Sequence, residues 1–306
     1  MIEVKHLRKH YGSHVAVDGI SFEVEAGEIL GLLGPNGAGK TTTMRILTGF
    51  MPPTDGTAIV AGYDVLQNSM EVRKRVGYLP EKVPIYPDMT LRAYVTFVAR
   101  LHGVDNYKKK VDEVLDRFGL LDRRDRLVRS LSKGLRQRLG LAQALVHDPP
   151  VIVLDEPTIG IDPKQVIEVR DIVKSLRQDH TVLFSSHILT EVEQVCDRVV
   201  IINKGQVVAQ GTAKELGEQF KPQRQLYVEL DGGNDEAYRR LINSLDMIDK
   251  VEQQGRGYVL FVSTNDQIQK PITRAIADSD FTLVELRQLD VSLEDVFLDI
   301  ITKGDT

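Results

Sequence analysis

The chain has 306 residues, 42% hydrophobic and 27% charged, with a formal net charge of −5 and one cysteine, Cys196. That length allows about two domains and a core that needs no staples. The composition excludes global disorder and fibrous repeats, the charge excludes a strongly basic nucleic-acid binder, and a lone cysteine excludes an internal disulfide. No apolar run approaches the roughly 18 residues of a membrane span, and the opening MIEVKHLRKH has no apolar h-region, so neither an anchor nor a secretory leader is expected. A reducing cytosol is the compartment that fits.

Glu28–Leu33 reads as a strand, and Lys40–Thr48 as a helix. Between and into them runs Gly34-Pro-Asn-Gly-Ala-Gly39-Lys40-Thr41, which matches GxxxxGK[ST] in the strand–loop–helix context that the motif requires. Glycines such as Gly34, Gly37 and Gly39 let the backbone curl round an anion, and Asn36 adds its N–H to the ring. The helix start adds the positive end of its dipole. Lys40 supplies a point charge to the β- and γ-phosphates, the Thr41 hydroxyl is placed for Mg²⁺, and Thr42 can donate to the α-phosphate. The motif predicts a nucleoside-triphosphate site.

Short strands follow at Thr57–Val60 and Val76–Leu79. From about Thr90 to His147 no strand pattern occurs. Leu91, Tyr94, Val98 and Leu101 mark one amphipathic helix, Val111, Val114, Leu115 and Phe118 a second, and Leu135, Leu139, Ala142, Leu145 and Val146 a third. The stretch of about 86–150 therefore reads as an all-helical subdomain inserted in an α/β domain. Val151–Leu154 is a buried-type strand ending at Asp155 and Glu156, 115 residues beyond Lys40. Asp155 is expected beside the phosphate loop, holding Mg²⁺. Glu156, one residue on, points elsewhere and suits a base that polarises the attacking water. A helix over Asp162–Arg177 and strands at Thr181–Ser185 and Arg198–Asn203 continue the alternation. Runs that are apolar throughout predict a largely parallel sheet.

Thr212-Ala-Lys-Glu215 is a capping box that starts a short helix. The net charge of 1–220 is +1 and that of 221–306 is −6, with the polar stretch GEQFKPQRQ at the change. This places a boundary between domains 1–220 and 221–306. The tail reads strand (Gln225–Leu230), helix (Asp235–Ser244), strand (Ile248–Gln253), strand (Tyr258–Val262), helix (Asn265–Ile276), strand (Thr282–Leu289) and helix (Ser292–Ile301). That order predicts a small α+β domain, with a ferredoxin-like arrangement as one form of it.

The helix opened by Leu131-Ser-Lys-Gly-Leu-Arg-Gln-Arg138 makes the pattern specific. Here the sequence resembles the ATP-binding cassette (ABC) ATPases, whose signature is commonly written LSGGQ. Other landmarks of that family stand around it in order. Tyr11 matches the aromatic that stacks on adenine, and Glu81, in Gly77-Tyr-Leu-Pro-Glu81, stands where the family usually has its Q-loop glutamine. Ile159-Gly-Ile-Asp162-Pro163 resembles the D-loop, and Ser185-Ser-His187 the switch histidine. The resemblance spans about Ile2 to Leu216. GYLPE, LSKGLRQRLGLAQAL and the closing SLEDVFL resemble the ATPase subunits of ABC-2-type exporters, among them drug, sodium and polysaccharide exporters and gliding-motility proteins, which often carry a C-terminal α+β extension.

The resemblance implies an ATP hydrolase that works as a homodimer or a heterodimer of cassettes, each ATP clamped between one copy's phosphate loop and the other's signature. Ser132, Gly134 and Asp162 would then join the nucleotide in trans, Glu81 would approach Mg²⁺ and the water, and His187 would touch the γ-phosphate. It implies a separately encoded membrane permease, a place on the cytoplasmic face of the membrane, and no nucleic acid. Lys133 and Leu135 depart from the signature, and Glu81 brings a full charge where the family has an amide. Two other readings compete: a soluble ABC ATPase acting on ribosomes or DNA, and a P-loop kinase, which would leave the signature, D-loop and switch histidine without a purpose.

Overall fold

The computed structural model describes residues 1–220, 224–232, 248–262, 269–279 and 281–289, together with Tyr238, Leu241, Leu245, Glu294 and Phe297. The chain divides into two units, Met1–Thr212 and Ala213–Thr306.

In the first unit the sequence alternates as expected, but over two sheets. A six-stranded sheet has the order β10-β9-β3-β8-β7-β6, where β3 is Ile29–Leu33, β6 Val76–Leu79, β7 Val151–Asp155, β8 Thr181–Ser186, β9 Arg198–Asn203 and β10 Gln206–Gly211. All its pairs are parallel except β9–β10. Every residue of β3, β7 and β8 is buried, the signature of strands covered on both faces. A second, antiparallel sheet is ordered β2-β1-β4-β5, with β1 Ile2–Tyr11, β2 His14–Val24, β4 Asp55–Val60 and β5 Tyr63–Asp64. The Thr57–Val60 run thus belongs to an antiparallel sheet. Its burial shows why: Ala58 and Val60 turn inward while Thr57 and Ile59 face out.

Helix α1 (Lys40–Leu47) lies between the sheets. Its Met44, Ile46 and Leu47 join Ile2, Val4, Leu7, Phe22 and Val60 from the antiparallel sheet and Leu30, Leu32, Val153, Leu183 and Val200 from the parallel one in a single core. Each such side chain is worth about 1.5–3 kcal/mol on burial. The phosphate-loop helix is therefore clamped by packing on both sides.

Helix α2 (Ser69–Arg75) precedes β6. The helical segment forms as read, with α3 Leu91–Leu101, α4 Tyr107–Arg117 and α5 Lys133–Leu145. Thr90 caps α3 by accepting the Ala93 N–H, and Ser132 caps α5. Helix α6 (Pro163–Leu176) has Asp162 as N-cap and Pro163 at its first position. Helix α7 (Leu189–Val195) follows β8.

The second unit begins with α8 (Ala213–Phe220) and holds a four-stranded antiparallel sheet, ordered β12-β13-β11-β14: β11 Arg224–Asp231, β12 Ile248–Gln254, β13 Gly257–Val262 and β14 Thr282–Leu289. Helix α9 (Gln269–Ala277) adds Ile272 and Ile276 to a core of Leu226, Val228, Tyr258, Leu260 and Val262. The helices expected at Asp235–Ser244 and Ser292–Ile301 fall largely outside the described residues. No described helix is long and apolar enough to cross a membrane.

Candidate nucleotide-hydrolysis site

Chain direction builds the site. Parallel strands β3, β7 and β8 all end on one edge of their sheet, where ligands bind in folds of this kind. From the end of β3 the chain turns through Gly34–Gly39 into α1. Gly39 has φ +107°, and a Cβ there would approach the Ala16 carbonyl oxygen to 2.5 Å. Gly37 has φ +82° with open space where a side chain would be, so the turn leaves its backbone bare toward the cleft. Lys40, the first residue of α1, is 6% exposed. Its ammonium donates to the carbonyl oxygens of Gly34 (2.7 Å) and Pro35 (3.2 Å) and lies 3.3 Å from Glu156 Oε1.

Asp155 ends β7 opposite Ser185 of β8. Its Oδ1 accepts from the Ser185 hydroxyl (2.9 Å) and the Thr41 hydroxyl (3.2 Å). Its Oδ2 is fully buried with no hydrogen-bond partner among the described residues. Burial raises its carboxyl above the ordinary Asp range, against the pull of the two hydroxyls, and the neighbouring charges of Glu156 and Glu81 add to the rise. A buried carboxylate oxygen left bare beside a threonine hydroxyl fits a small hard cation such as Mg²⁺, which takes one or two protein oxygens and fills its remaining positions with phosphates and water. Among the described residues no cluster of three or more His, Cys, Asp or Glu could hold a metal alone, in keeping with that sparse donor set.

Glu156 follows with φ +50°, a left-handed conformation that costs a non-glycine residue roughly 1–2 kcal/mol. Its N–H donates to Ser185 Oγ (3.0 Å), and its Oε2 meets His187 Nδ1 at 2.8 Å. Lys40 and His187 thus hold one oxygen each of the same carboxylate. Beneath them the buried Glu191 accepts from Thr158 (2.6 Å) and Ser186 (3.0 Å), tying the chain after Glu156 to the chain before His187.

In front of these groups opens a cleft of ≈ 410 Å³, lined by Tyr11, His14, Ala16, Asn36–Thr42, Glu81, Glu156 and Ile159. Tyr11 and His14 pair at the tip of the β1–β2 hairpin, and the half-exposed Tyr11 donates its hydroxyl to Met51 Sδ (3.1 Å). The cleft thus gathers Tyr11, Asn36, Gly37, Gly39, Lys40, Thr41, Thr42, Glu81 and Glu156. Asp155 is bonded to Thr41 and His187 to Glu156, and the Gly34 carbonyl holds Lys40.

Ser132, Gly134 and Asp162 are not among the residues that line the cleft. Ser132 is exposed, and its hydroxyl accepts the Leu135 N–H at 3.4 Å. A Cβ on Gly134 would collide with Gln165 of α6. Asp162 accepts the Gln165 N–H at 3.1 Å. The starts of α5 and α6 therefore pack together. The Lys133 ammonium fills the space a side chain on Gly160 would take. Three participants were not singled out in the sequence: His14, Glu191 and the individual role of Ser185. Only Ser185 had a signal, its place two residues before His187.

A curled loop over a helix start, a buried lysine, and an acid followed by a base at the end of a parallel strand of the same sheet, one strand removed, are the architecture of phosphate-loop nucleotide hydrolases. A model of the ABC transporter family matches residues 17–159. The linearmycin resistance ATP-binding protein LnrL of Bacillus subtilis (strain 168) is 32% identical over 98% of both chains. The bacitracin transport ATP-binding protein BcrA of Bacillus licheniformis is 34% identical over 99% of this chain and 98% of its own. A solved ATP-binding subunit of an ABC transporter superposes with a TM-score of 0.67 at 30% identity, over 72% of this chain and 93% of the other. The chain belongs to the ABC transporter family, as one of its ATP-hydrolysing subunits.

Proposed function

We propose that this chain hydrolyses MgATP between two cassettes and so drives a separate membrane permease, an exporter, from the cytoplasmic face. The observation that carries the catalytic part is the Lys40–Glu156–His187 cluster beside the bare Oδ2 of Asp155.

The N–H groups of Asn36–Thr42 and the ammonium of Lys40 bind the phosphates, and the Tyr11 ring takes the adenine face. Asp155 and Thr41 would hold Mg²⁺, with Glu81 near Asp155, and the ion would supply charge neutralisation to the phosphates. Glu156 accepts a proton from the attacking water as oxygen bonds to the γ-phosphorus and the bond to the β–γ bridging oxygen breaks, leaving ADP and phosphate. His187 holds the Glu156 carboxylate in place and offers its other ring nitrogen to the γ-phosphate. Ser132, Gly134 and Asp162 of a second copy close the site over the phosphates. Their place outside the cleft of their own chain is what such sharing requires, and Ser132 and the exposed start of α5 present donors. Phosphate then holds two copies together, and hydrolysis releases them.

The permease reading rests on the family and on a second groove of ≈ 490 Å³ between the helical segment and the sheet. Phe50, Tyr86, Phe97 and Leu101 are exposed along it, which suits a partner's cytoplasmic helix. Export as the direction follows from the two full-length relatives, one named for linearmycin resistance and one for bacitracin transport. The ferredoxin-like reading of the tail is supported by the sheet order β12-β13-β11-β14 with every neighbour antiparallel.

The test is Mg²⁺-dependent phosphate release from ATP by the purified chain, alone and reconstituted with its membrane permease. Release that disappears in Lys40→Ala supports the reading. No release in either setting overturns it.

A further inference from the structure

One hydroxyl bridges the Asp155 carboxylate and the backbone amide of Glu156. Ser185 Oγ donates its proton to Asp155 Oδ1 (2.9 Å) and accepts the N–H of Glu156 (3.0 Å). A hydroxyl has one proton, and an N–H can only donate, so the direction of both bonds is set: the proton must go to Asp155. Ser185 is fully buried, so water does not compete for either bond. Two consequences follow. Oδ1 carries two donors, Ser185 and Thr41, and this leaves Oδ2 as the oxygen without a partner. The amide of Glu156 is pinned at the residue that adopts φ +50°, the least favourable backbone conformation in the site. Two residues on, His187 continues the same grip and holds Glu156 Oε2 at 2.8 Å. The segment 185–187 therefore fixes Glu156 at its amide and at its carboxylate.

We propose that Ser185 is a positioning residue that sets the metal-facing oxygen of Asp155 and the backbone of the Glu156 base with one hydroxyl. This rests on the roles given above to Asp155 and Glu156. Without the hydroxyl, Asp155 is free to rotate and share both oxygens with Thr41, and the Glu156 amide is left buried and unpaired. The effect should fall on turnover and metal binding and leave nucleotide binding alone, because the described hydrogen bonds of the Ser185 hydroxyl go to Asp155 and Glu156 and not to the phosphate loop.

The experiment compares Ser185→Ala and Ser185→Thr with the full-length protein, and uses Glu156→Gln as a control. Three quantities are read: steady-state kcat and KM for ATP, the affinity for Mn²⁺ by electron paramagnetic resonance with a non-hydrolysable ATP analogue, and the melting temperature without ligand. Ser185→Ala should lower kcat by about tenfold or more and weaken Mn²⁺ binding, while KM stays within about threefold. Ser185→Thr, which keeps the hydroxyl, should restore both. Wild-type kcat and Mn²⁺ affinity in Ser185→Ala overturn the proposal. So does a loss matched by a fall in melting temperature that Ser185→Thr does not reverse, since that is general destabilisation. If Glu156→Gln keeps its turnover, the reading of the base fails, and the Mn²⁺ measurement still decides whether Ser185 sets Asp155.

Discussion

The histidine pair on the floor of the helical groove sets a pH dependence whose size the structure determines. His147 stacks on His102 with ring centroids 3.8 Å apart and planes 14° from parallel. Both His147 ring nitrogens are buried without a hydrogen-bond partner among the described residues. Burial lowers its pKa from 6.5 to about 4, with His102 adding to the fall and the Val76 backbone and Asp148 opposing it. His102 is lowered by burial too. The folded state therefore holds His147 neutral, while the unfolded chain protonates it below about pH 6.5. Between those values the unfolded state binds more protons, so stability rises with pH. The contribution is complete above the unfolded pKa and is lost as pH falls toward 4. Integrating that one site from about pH 7.5 to about pH 5 gives a loss of roughly 2 kcal/mol, which lowers the melting temperature of a unit this size by about 4–8 °C. His147→Phe keeps a stacked aromatic ring and removes the proton site. It should remove most of the acid-side loss. The assay is thermal melting of wild type and variant across this pH range, with the His147 titration followed by NMR. A His147 that titrates near 6.5, or a variant with an unchanged acid loss, refutes the reasoning.

Other outcomes concern the site and its frame. Glu156→Gln should lower turnover 10²–10⁴-fold, about 2.7–5.4 kcal/mol of barrier, retain ATP binding and accumulate as an ATP-bound dimer; phosphate release and light scattering check this, and unchanged turnover removes Glu156 from its role. Tyr11→Ala should weaken nucleotide binding by about 1–3 kcal/mol, the worth of one stacked base, while Tyr11→Phe retains it; equilibrium binding of a fluorescent ATP analogue separates them. Gly77→Ala pushes a methyl from β6 into the Ala144 carbonyl of α5 and against Pro149. It should cost the cassette about 1–3 kcal/mol, read as a fall in melting temperature, and a variant that melts with the wild type would show that the two elements can separate at no cost.

Much of this was legible one segment at a time. The phosphate loop, the Asp155–Glu156 strand end, the three helices of the insertion and the strand at Thr282–Leu289 each declare themselves within a few residues, because helix and strand periods and turn residues are local properties. The β1–β2 hairpin did not. His6 has φ +48°, and the pairing of β1 with β2 shifts register three times within ten residues, so the alternation of a strand is broken. Tyr11 was found by resemblance, and its neighbour His14 was not found at all.

By itself the sequence determined which residues could bind phosphate, hold a cation and take a proton, since these are properties of side chains and of spacing along the chain. Tertiary structure alone decided that Asp155 lies opposite Ser185, that Lys40 and His187 share the Glu156 carboxylate, and that Ser132 and Asp162 stand apart from the cleft of their own chain. The physical reason is register. Parallel neighbours β7 and β8 are joined by a crossover through α6, and β3 is separated from β7 by more than a hundred residues. Which residues meet at the edge of the sheet is set by how all the strands pack round α1 and its core, not by any spacing that can be read along the chain.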